Sequence, residues 1–150
     1  MTDPIEIKVD NADILKALKK LSEKTQNLRP VMRNIAGIMM DSLEENFAQQ
    51  GRPKWKDLAE VTKKQRKKEG KWPGMILQKS QGGLAQSITS EYGDDYAIVG
   101  TNKVYAAIHQ FGGPAGRKKK VKIPARPYLT LGDDTVEEIL EGLMKYLNFL

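Results

Sequence analysis

The longest regular apolar pattern in the chain has the period of an α-helix. Apolar side chains stand at every fourth position of one stretch, namely Val31, Ile35, Met39, Leu43 and Phe47. Residues four apart lie on one face of a helix, so the pattern predicts a long helix with one buried face. Pro30 suits its first turn, and Gly51 with Pro53 ends it. Such a helix needs other elements to cover its apolar face.

Two further helices with apolar faces are predicted near the ends of the chain. The first has its apolar positions at Ile14, Leu18 and Leu21. Asn11 or Asp13 is suited to cap it. The last has its buried stripe at Val136, Ile139, Leu140, Leu143 and Leu147. We expect Asp133 to cap this C-terminal helix, whose first turn is acidic.

The middle of the chain is less regular. A shorter, exposed helix is predicted over residues 57–68, where Leu58 and Val61 are the apolar positions. Residues 69–83 and 112–120 are rich in glycine and charge and poor in apolar anchors. We expect both to be mobile loops, because little burial offsets the entropy of ordering them.

Alternating patterns predict short strands. Residues 5–9 alternate apolar and charged side chains, and residues 88–92 with 96–99 predict a hairpin around a short glycine-containing turn. Residues 105–111 suit one or two helical turns. Residues 121–123 are extended, but the prolines that follow confine them to an edge strand or an extended arm.

These elements predict one α+β domain over residues 1–150. It consists of a small antiparallel sheet packed by two long N-terminal helices and a C-terminal helix, with long basic loops. The length is that of a typical single domain. Strands and helices do not alternate, which excludes a Rossmann-type sheet.

Composition excludes several kinds of site. The chain has no Cys and one His, which excludes disulfides, thiolate nucleophiles, Cys-based metal sites and paired imidazole ligands. No apolar run approaches the roughly 20 residues that a membrane helix needs. The N-terminus lacks the features of a signal peptide. We therefore expect no metal, no cofactor and no membrane partner.

The single imidazole, His109, has two interpretations, a general base and a structural or interface residue. Ser80, Ser87, Ser90, Asp94 and Asp95 are the conceivable partners of a general base. No nucleophile-elbow motif surrounds any serine, and nothing in the sequence places these side chains together. We therefore expect His109 to be a structural or interface residue, and the protein not to be an enzyme.

Positive charge is concentrated in two segments. The net charge is +6, and of 25 basic residues nine lie in 52–71 and six in 117–126, whereas 133–150 is acidic. These segments could contact phosphates or a partner. The candidate basic residues are Lys63, Lys64, Arg66, Lys67, Lys68, Arg117, Lys118, Lys119 and Lys120. No aromatics interleave them and no DNA-binding motif is present, so solvated charge and a basic nucleic-acid-binding module stay open as alternatives.

Two sequence blocks carry a family resemblance. Residues 105–113 read YAAIHQFGG, and residues 123–129 read IPARPYL. In their order, with the earlier Trp55-Lys-Asp-Leu58 and Gly83-Leu84, they resemble the phage virion-morphogenesis family, the tail-completion proteins of Mu-like contractile-tailed phages. The resemblance covers essentially the whole chain. Tyr128 stands where phenylalanine is usual.

The resemblance implies a structural role in the virion. Such proteins are expected to form a ring, a hexamer by the symmetry of the tail, at the head-proximal end of the tail, where they join tail to head. The implied partners are further copies of the chain, the tail tube and head-connector proteins, with possible non-specific contact with DNA in the lumen. Assembly would take place in the host cytoplasm. The implied fold is α+β.

Six residues are candidates for the subunit interface or its support. The apolar candidates are Trp55, Tyr105, Phe111 and Tyr128, each of which could equally belong to the core. Arg126 lies in a stiff proline-flanked segment, and we expect it to pair with a carboxylate of the acidic C-terminal helix. His109 is expected to support the same contact. We expect residues 121–131 to form the ring contact and the basic runs to face the lumen or another partner.

Overall fold

The computed structural model describes residues 11–78 and 83–149. They form two compact units. The first, here called the central unit, comprises Glu44–Ile88 and Thr101–Leu129. The second, here called the helical unit, comprises the residues up to Leu43, Thr89–Gly100 and the residues from Thr130 onward. The predicted strand over residues 5–9 lies outside the described residues.

Three helices build the core of the helical unit. They are α1 (Ala12–Lys24), the first part of α2 (Arg29–Ala48) and α5 (Asp133–Phe149). Their shared core contains Ala17, Leu21, Val31, Ile139, Leu143 and Leu147. All three predicted helices are confirmed. Each buries its apolar stripe against the apolar stripes of the other two helices.

The predicted start of α1 agrees with the structure, whereas the predicted start of α5 does not. The side-chain oxygen of Asn11 accepts a hydrogen bond from the Ile14 nitrogen at 3.0 Å, which confirms the predicted cap of α1. Asp133 is instead the first residue of α5. The carbonyl of Gly132 accepts from the nitrogens of Thr135 and Val136, so the chain turns into the helix one residue earlier than predicted.

The helical unit also contains the predicted hairpin. Strands β1 (Thr89–Tyr92) and β2 (Ala97–Gly100) pair antiparallel, with Thr89 opposite Gly100. The Gly93 nitrogen donates to the Tyr96 carbonyl at 2.9 Å and closes the turn.

The central unit consists of short elements. They are α3 (Glu60–Lys68), α4 (Ala106–Phe111), β3 (Gly113–Ala115) and β4 (Val121–Ile123), with single 3₁₀ turns at Ala85–Ser87 and Arg117–Lys119. Its buried apolar side chains are Phe47, Trp55, Leu58, Ile76, Leu77, Leu84, Ile88, Ala106, Tyr128 and Leu129. The predicted helix over 57–68 is confirmed from Glu60 onward.

Two expectations about the strands and loops are corrected, while the α+β class is confirmed. The described strands form two separate two-stranded sheets, β1–β2 and β3–β4, where one sheet was expected. Residues 113–123 are a hairpin and not an irregular loop, since β3 pairs antiparallel with β4. Each ladder is only three or four residues long, and a strand pattern in the sequence does not specify its partner.

The segment after α3 was expected to lack apolar anchors, and this was wrong. Ile76 and Leu77 are buried, with 7% and 8% of their surface exposed. The Ile76 nitrogen donates to the side-chain oxygen of Gln50 at 2.8 Å, which fixes this stretch to the core. Among the described residues, no helix is long and apolar enough to cross a membrane.

Candidate functional site

Tyr128 lies at the centre of the central unit. Its side chain is fully buried, and its hydroxyl donates to the Ala106 carbonyl at 2.8 Å. Its backbone nitrogen donates to the side-chain oxygen of Gln110 at 3.0 Å, and its carbonyl accepts from the Asn46 side chain at 2.9 Å. Burial raises the pKa of the hydroxyl. Tyr128 is therefore a core residue of one subunit and not an exposed anchor.

Trp55 is also part of this core. Its indole nitrogen donates to the Pro127 carbonyl at 2.8 Å, and 8% of its surface is exposed. The Phe47 ring packs edge-on against it, with centroids 5.8 Å apart, and lies 5.5 Å from the Tyr128 ring. The three rings hold residues 127–129 against the end of α2.

Arg126 is buried, and its partners differ from those expected. Its Nε donates to the Lys56 carbonyl at 2.8 Å and its Nη2 to the Asp57 carbonyl at 2.9 Å. The predicted pairing with a carboxylate of α5 is therefore wrong. The guanidinium instead satisfies the backbone of the irregular segment before α3, which has no helix or sheet partner for these carbonyls.

His109 lies on α4 beside these cations. Its backbone carbonyl accepts from the Arg126 nitrogen at 2.8 Å, and its ring meets Tyr105 edge-on with centroids 5.9 Å apart. Its Nδ1 is buried without a hydrogen-bond partner among the described residues. Burial, followed by the charges of Arg126 and Arg66, lowers the pKa of His109. A neutral imidazole is favoured there.

Arg66 is the exception among the candidate basic residues. It is buried, with 8% of its surface exposed, and donates to the carbonyls of Met75 and Ile76 at 3.0 and 2.8 Å. It therefore does not belong to an exposed basic surface. With His109 and Tyr105 it lines a cleft of about 390 Å³. Through these two hydrogen bonds, the Arg66 guanidinium holds the segment that follows α3.

Lys63 is paired within its own unit. Its ammonium lies 2.6 Å from a carboxylate oxygen of Asp57 and 3.4 Å from one of Glu60. The hydrogen bond to Lys63 lowers the pKa of Asp57, and the same bond raises the pKa of Lys63. The remaining candidate cations are exposed, namely Lys64, Lys67, Lys68, Arg117, Lys118, Lys119 and Lys120.

Two of the candidate aromatic residues face outward. Phe111 has 60% of its surface exposed and Tyr105 has 40%. Val104, next to α4, and Val121 on β4 are exposed to 73% and 59%. The candidate set thus divides in two. Trp55, His109, Arg126 and Tyr128 hold the unit together, whereas Tyr105 and Phe111 are available for contact.

The structure shows no metal-binding cluster among the residues it describes. Within residues 11–78 and 83–149, no three Asp, Glu or His side chains converge in a way that could hold a metal ion. Ser87, a conceivable partner of His109 within the same unit, donates to the Leu84 carbonyl at 2.6 Å and bonds the Thr101 hydroxyl. The absence of an enzymatic activity stays a prediction.

Sequence reasoning missed two residues that organise the site. Gln110 is buried and accepts from the nitrogens of both Tyr128 and Leu129. Asn46, with 1% of its surface exposed, reaches the Tyr128 carbonyl and accepts from Arg52 Nε at 2.8 Å. Gln110 lies inside the YAAIHQFGG block, and that position was the available signal.

The two sequence blocks are thus joined in the core of the central unit, and Phe111 at the end of α4 is exposed. The sequence profile of the phage virion morphogenesis family matches residues 9–148, and the chain belongs to that family. Its role is structural, in phage assembly.

Curated relatives cover nearly the full length. The chain is 46% identical to the Mu-like prophage FluMu G protein 2 of Haemophilus influenzae, over 97% of this chain and 98% of that protein. It is 36% identical to the putative capsid assembly protein G of Escherichia phage Mu, over 97% and 95% respectively. It is 38% identical to FluMu G protein 1 of Haemophilus influenzae, over 97% of both. No solved structure matches the chain.

Proposed function

We propose that this protein is a tail-completion protein that forms a homo-oligomeric ring, a hexamer, at the head-proximal end of the phage tail. There it joins tail to head and contacts the tail tube and the head connector. It acts without enzymatic chemistry and stays in the virion after assembly in the host cytoplasm. Membership of the virion morphogenesis family supports the structural part of this proposal.

The observation that carries the proposal is the exposed apolar face around α4. Val104, Tyr105, Phe111 and Val121 expose between 40% and 73% of their surface. Tyr128, Trp55 and Gln110 already fill the interior of the same unit. These exposed side chains therefore have no role in the core of the subunit, and exposed aromatic and apolar side chains near one short element can serve as anchors for contact with another chain.

Charge supports a contact between two different surfaces. The exposed face of α5 carries Glu137, Glu138 and Glu141, while α3 of the central unit carries the exposed Lys64, Lys67 and Lys68. A contact between unlike surfaces repeats around a ring, whereas a contact between like surfaces stops at a dimer. Complementary charge fixes the orientation of such a contact more than its strength.

The test is the mass of the assembly in solution. Light scattering after size exclusion should give one defined oligomer, and electron microscopy should show rings. Phe111→Ser should shift the mass toward the monomer, while Ile98→Ser, exposed by 54% on β2, is the matched control. A protein that stays monomeric at high concentration, or a Phe111→Ser variant that keeps the ring, would contradict the proposal.

A further inference from the structure

The tip of the β3–β4 hairpin is a cluster of cations that have no ion-pair partner within residues 11–78 and 83–149. Arg117, Lys118, Lys119 and Lys120 are consecutive, Lys122 follows after Val121, and all five cations are exposed. Residues 113–132 contain no acidic side chain, and none of the five cations forms a salt bridge with a described residue. These charges are free to meet an external anion.

The backbone of the tip is unusual for lysine. Lys118 has φ 58° and ψ 20°, and Lys119 has φ 53°, so both adopt the left-handed conformation. Glycine, asparagine and aspartate are the residues that tolerate this conformation, and lysine is disfavoured in it. The sequence therefore places charge where the backbone favours a different residue. Strained positions of this kind are characteristic of functional sites.

The base of the hairpin is held firmly to the central unit. Gly112, at φ 71°, packs so closely that a Cβ there would lie 2.6 Å from the Ala125 nitrogen. After β4, Arg126 is bound through its backbone to His109 and through its guanidinium to Lys56 and Asp57. The tip is therefore a cationic projection on a fixed base.

We infer that Arg117, Lys118, Lys119 and Lys120 at this tip bind the phosphate backbone of double-stranded DNA without reading its sequence. Residues 116–120 contain no apolar or aromatic side chain. A protein partner would require an apolar contact core, and the binding of single strands would require aromatic side chains on which bases stack. Lysines act as flexible point charges, which suit phosphates. The inference goes beyond the ring and holds for a monomer as well.

The salt dependence of DNA binding tests the inference. A fluorescent duplex of arbitrary sequence is titrated with the intact protein at salt concentrations from about 50 to about 200 mM. The logarithm of the binding constant should fall linearly with the logarithm of the salt concentration. Lys118→Gln/Lys119→Gln/Lys120→Gln should reduce the slope by about 2–3, since each phosphate contact contributes about 0.9.

A matched variant controls for net charge. Lys16→Gln/Lys19→Gln/Lys20→Gln removes the same three charges from the exposed side of α1. It should leave the slope within error of the unchanged protein. Equal losses in both variants would overturn the inference, because long-range attraction by net charge would then explain the binding. Absence of DNA binding by the unchanged protein at low salt would overturn it too.

Replacing the left-handed lysines separates charge from folding. Lys118→Gly/Lys119→Gly should raise the melting temperature, because glycine adopts the left-handed conformation without strain. We expect a rise of about 2–4 °C for a chain of this length. The same variant should bind the duplex more weakly. If these variants instead dissolve the ring and leave DNA binding unchanged, the tip is a protein interface. If the ring is never formed but the slope changes as expected, the inference stands while the proposed function fails.

Discussion

The side-chain oxygen of Gln110 accepts a hydrogen bond from the backbone nitrogen of Tyr128 at 3.0 Å, inside the core of the central unit. The same oxygen accepts from the Leu129 nitrogen at 2.9 Å. One glutamine thus joins the YAAIHQFGG block to the IPARPYL block. Each block thus satisfies polar groups of the other.

Gln110→Leu should therefore destabilise the protein strongly. The change keeps the volume similar but leaves two buried nitrogens without an acceptor, which costs about 2–4 kcal/mol of unfolding free energy. Urea denaturation followed by circular dichroism measures this. Gln65→Leu, at an exposed position of α3, is the control and should stay within about 0.5 kcal/mol. Equal effects of the two changes would refute the role of Gln110.

Arg126→Lys should weaken the fold although it keeps the charge. A lysine cannot reproduce the two donors that reach the carbonyls of Lys56 and Asp57. The expected loss is about 1–3 kcal/mol of unfolding free energy, measured by denaturant titration. Arg117→Lys, in the exposed hairpin tip, should be neutral. Unchanged stability in Arg126→Lys would show that the guanidinium bonds contribute nothing.

Gly112→Ala and Gly37→Ala should change stability in opposite directions. At Gly112 a Cβ would lie 2.6 Å from the Ala125 nitrogen and would need φ 71°, so we expect a loss above about 2 kcal/mol. At Gly37, inside α2, nothing lies within 4 Å of the added Cβ. Alanine at position 37 should therefore raise the free energy of unfolding by about 0.5–1 kcal/mol, and the melting temperature with it. Calorimetry on both variants checks the pair, and a gain at Gly112 would contradict the structure.

The free energy of unfolding should fall as the pH drops below the pKa of an ordinary imidazole. The pKa of His109 is lower in the folded protein than in the unfolded chain, because of burial and the charges of Arg126 and Arg66. The unfolded chain therefore takes up a proton first as the pH falls through about 6.5, which favours unfolding. The slope reaches at most about 1.4 kcal/mol per pH unit for one proton.

His109→Gln tests this dependence by removal of the titrating group. The difference in unfolding free energy between about pH 8 and about pH 5.5 should be smaller in the variant than in the unchanged protein. Asp57 does not confound this window, because its pKa is lowered and the stability that it contributes is lost only below about pH 5. An identical pH profile in both proteins would remove His109 as the cause.

The sequence identified elements that depend on local periodicity and missed those set by tertiary contacts. The stripe from Val31 to Phe47 specified α2, and Asn11 specified the start of α1, since helix period and caps are local. Arg66 was assigned to the exposed basic surface because its neighbours are lysines. Its burial depends on carbonyls nine and ten residues later, at Met75 and Ile76, which no helical pattern encodes.

The sequence predicted which residues form the candidate site, but not which of their side chains face the core and which face solvent. The sequence indicated the six candidates from residue type and from the two blocks. Whether an aromatic side chain faces inward depends on the whole unit. Tyr128 is fully buried while Phe111, of similar chemistry, is 60% exposed. The predicted partner of Arg126 was wrong for a related reason. Every residue has a backbone carbonyl, so the sequence does not indicate which carbonyl a side chain will bind.

The short helix α4 has one side occupied by the core and the other open to solvent. Gln110 and Ala106 are buried on the inner side, while Phe111 is exposed at the end of the same six-residue element. A genetic screen for particles that fail to mature would therefore recover changes throughout α4. Some alleles would encode an unstable subunit, and others, under the proposed function, a stable subunit that cannot associate. Their melting curves, rather than their plaque phenotype, would separate the two groups.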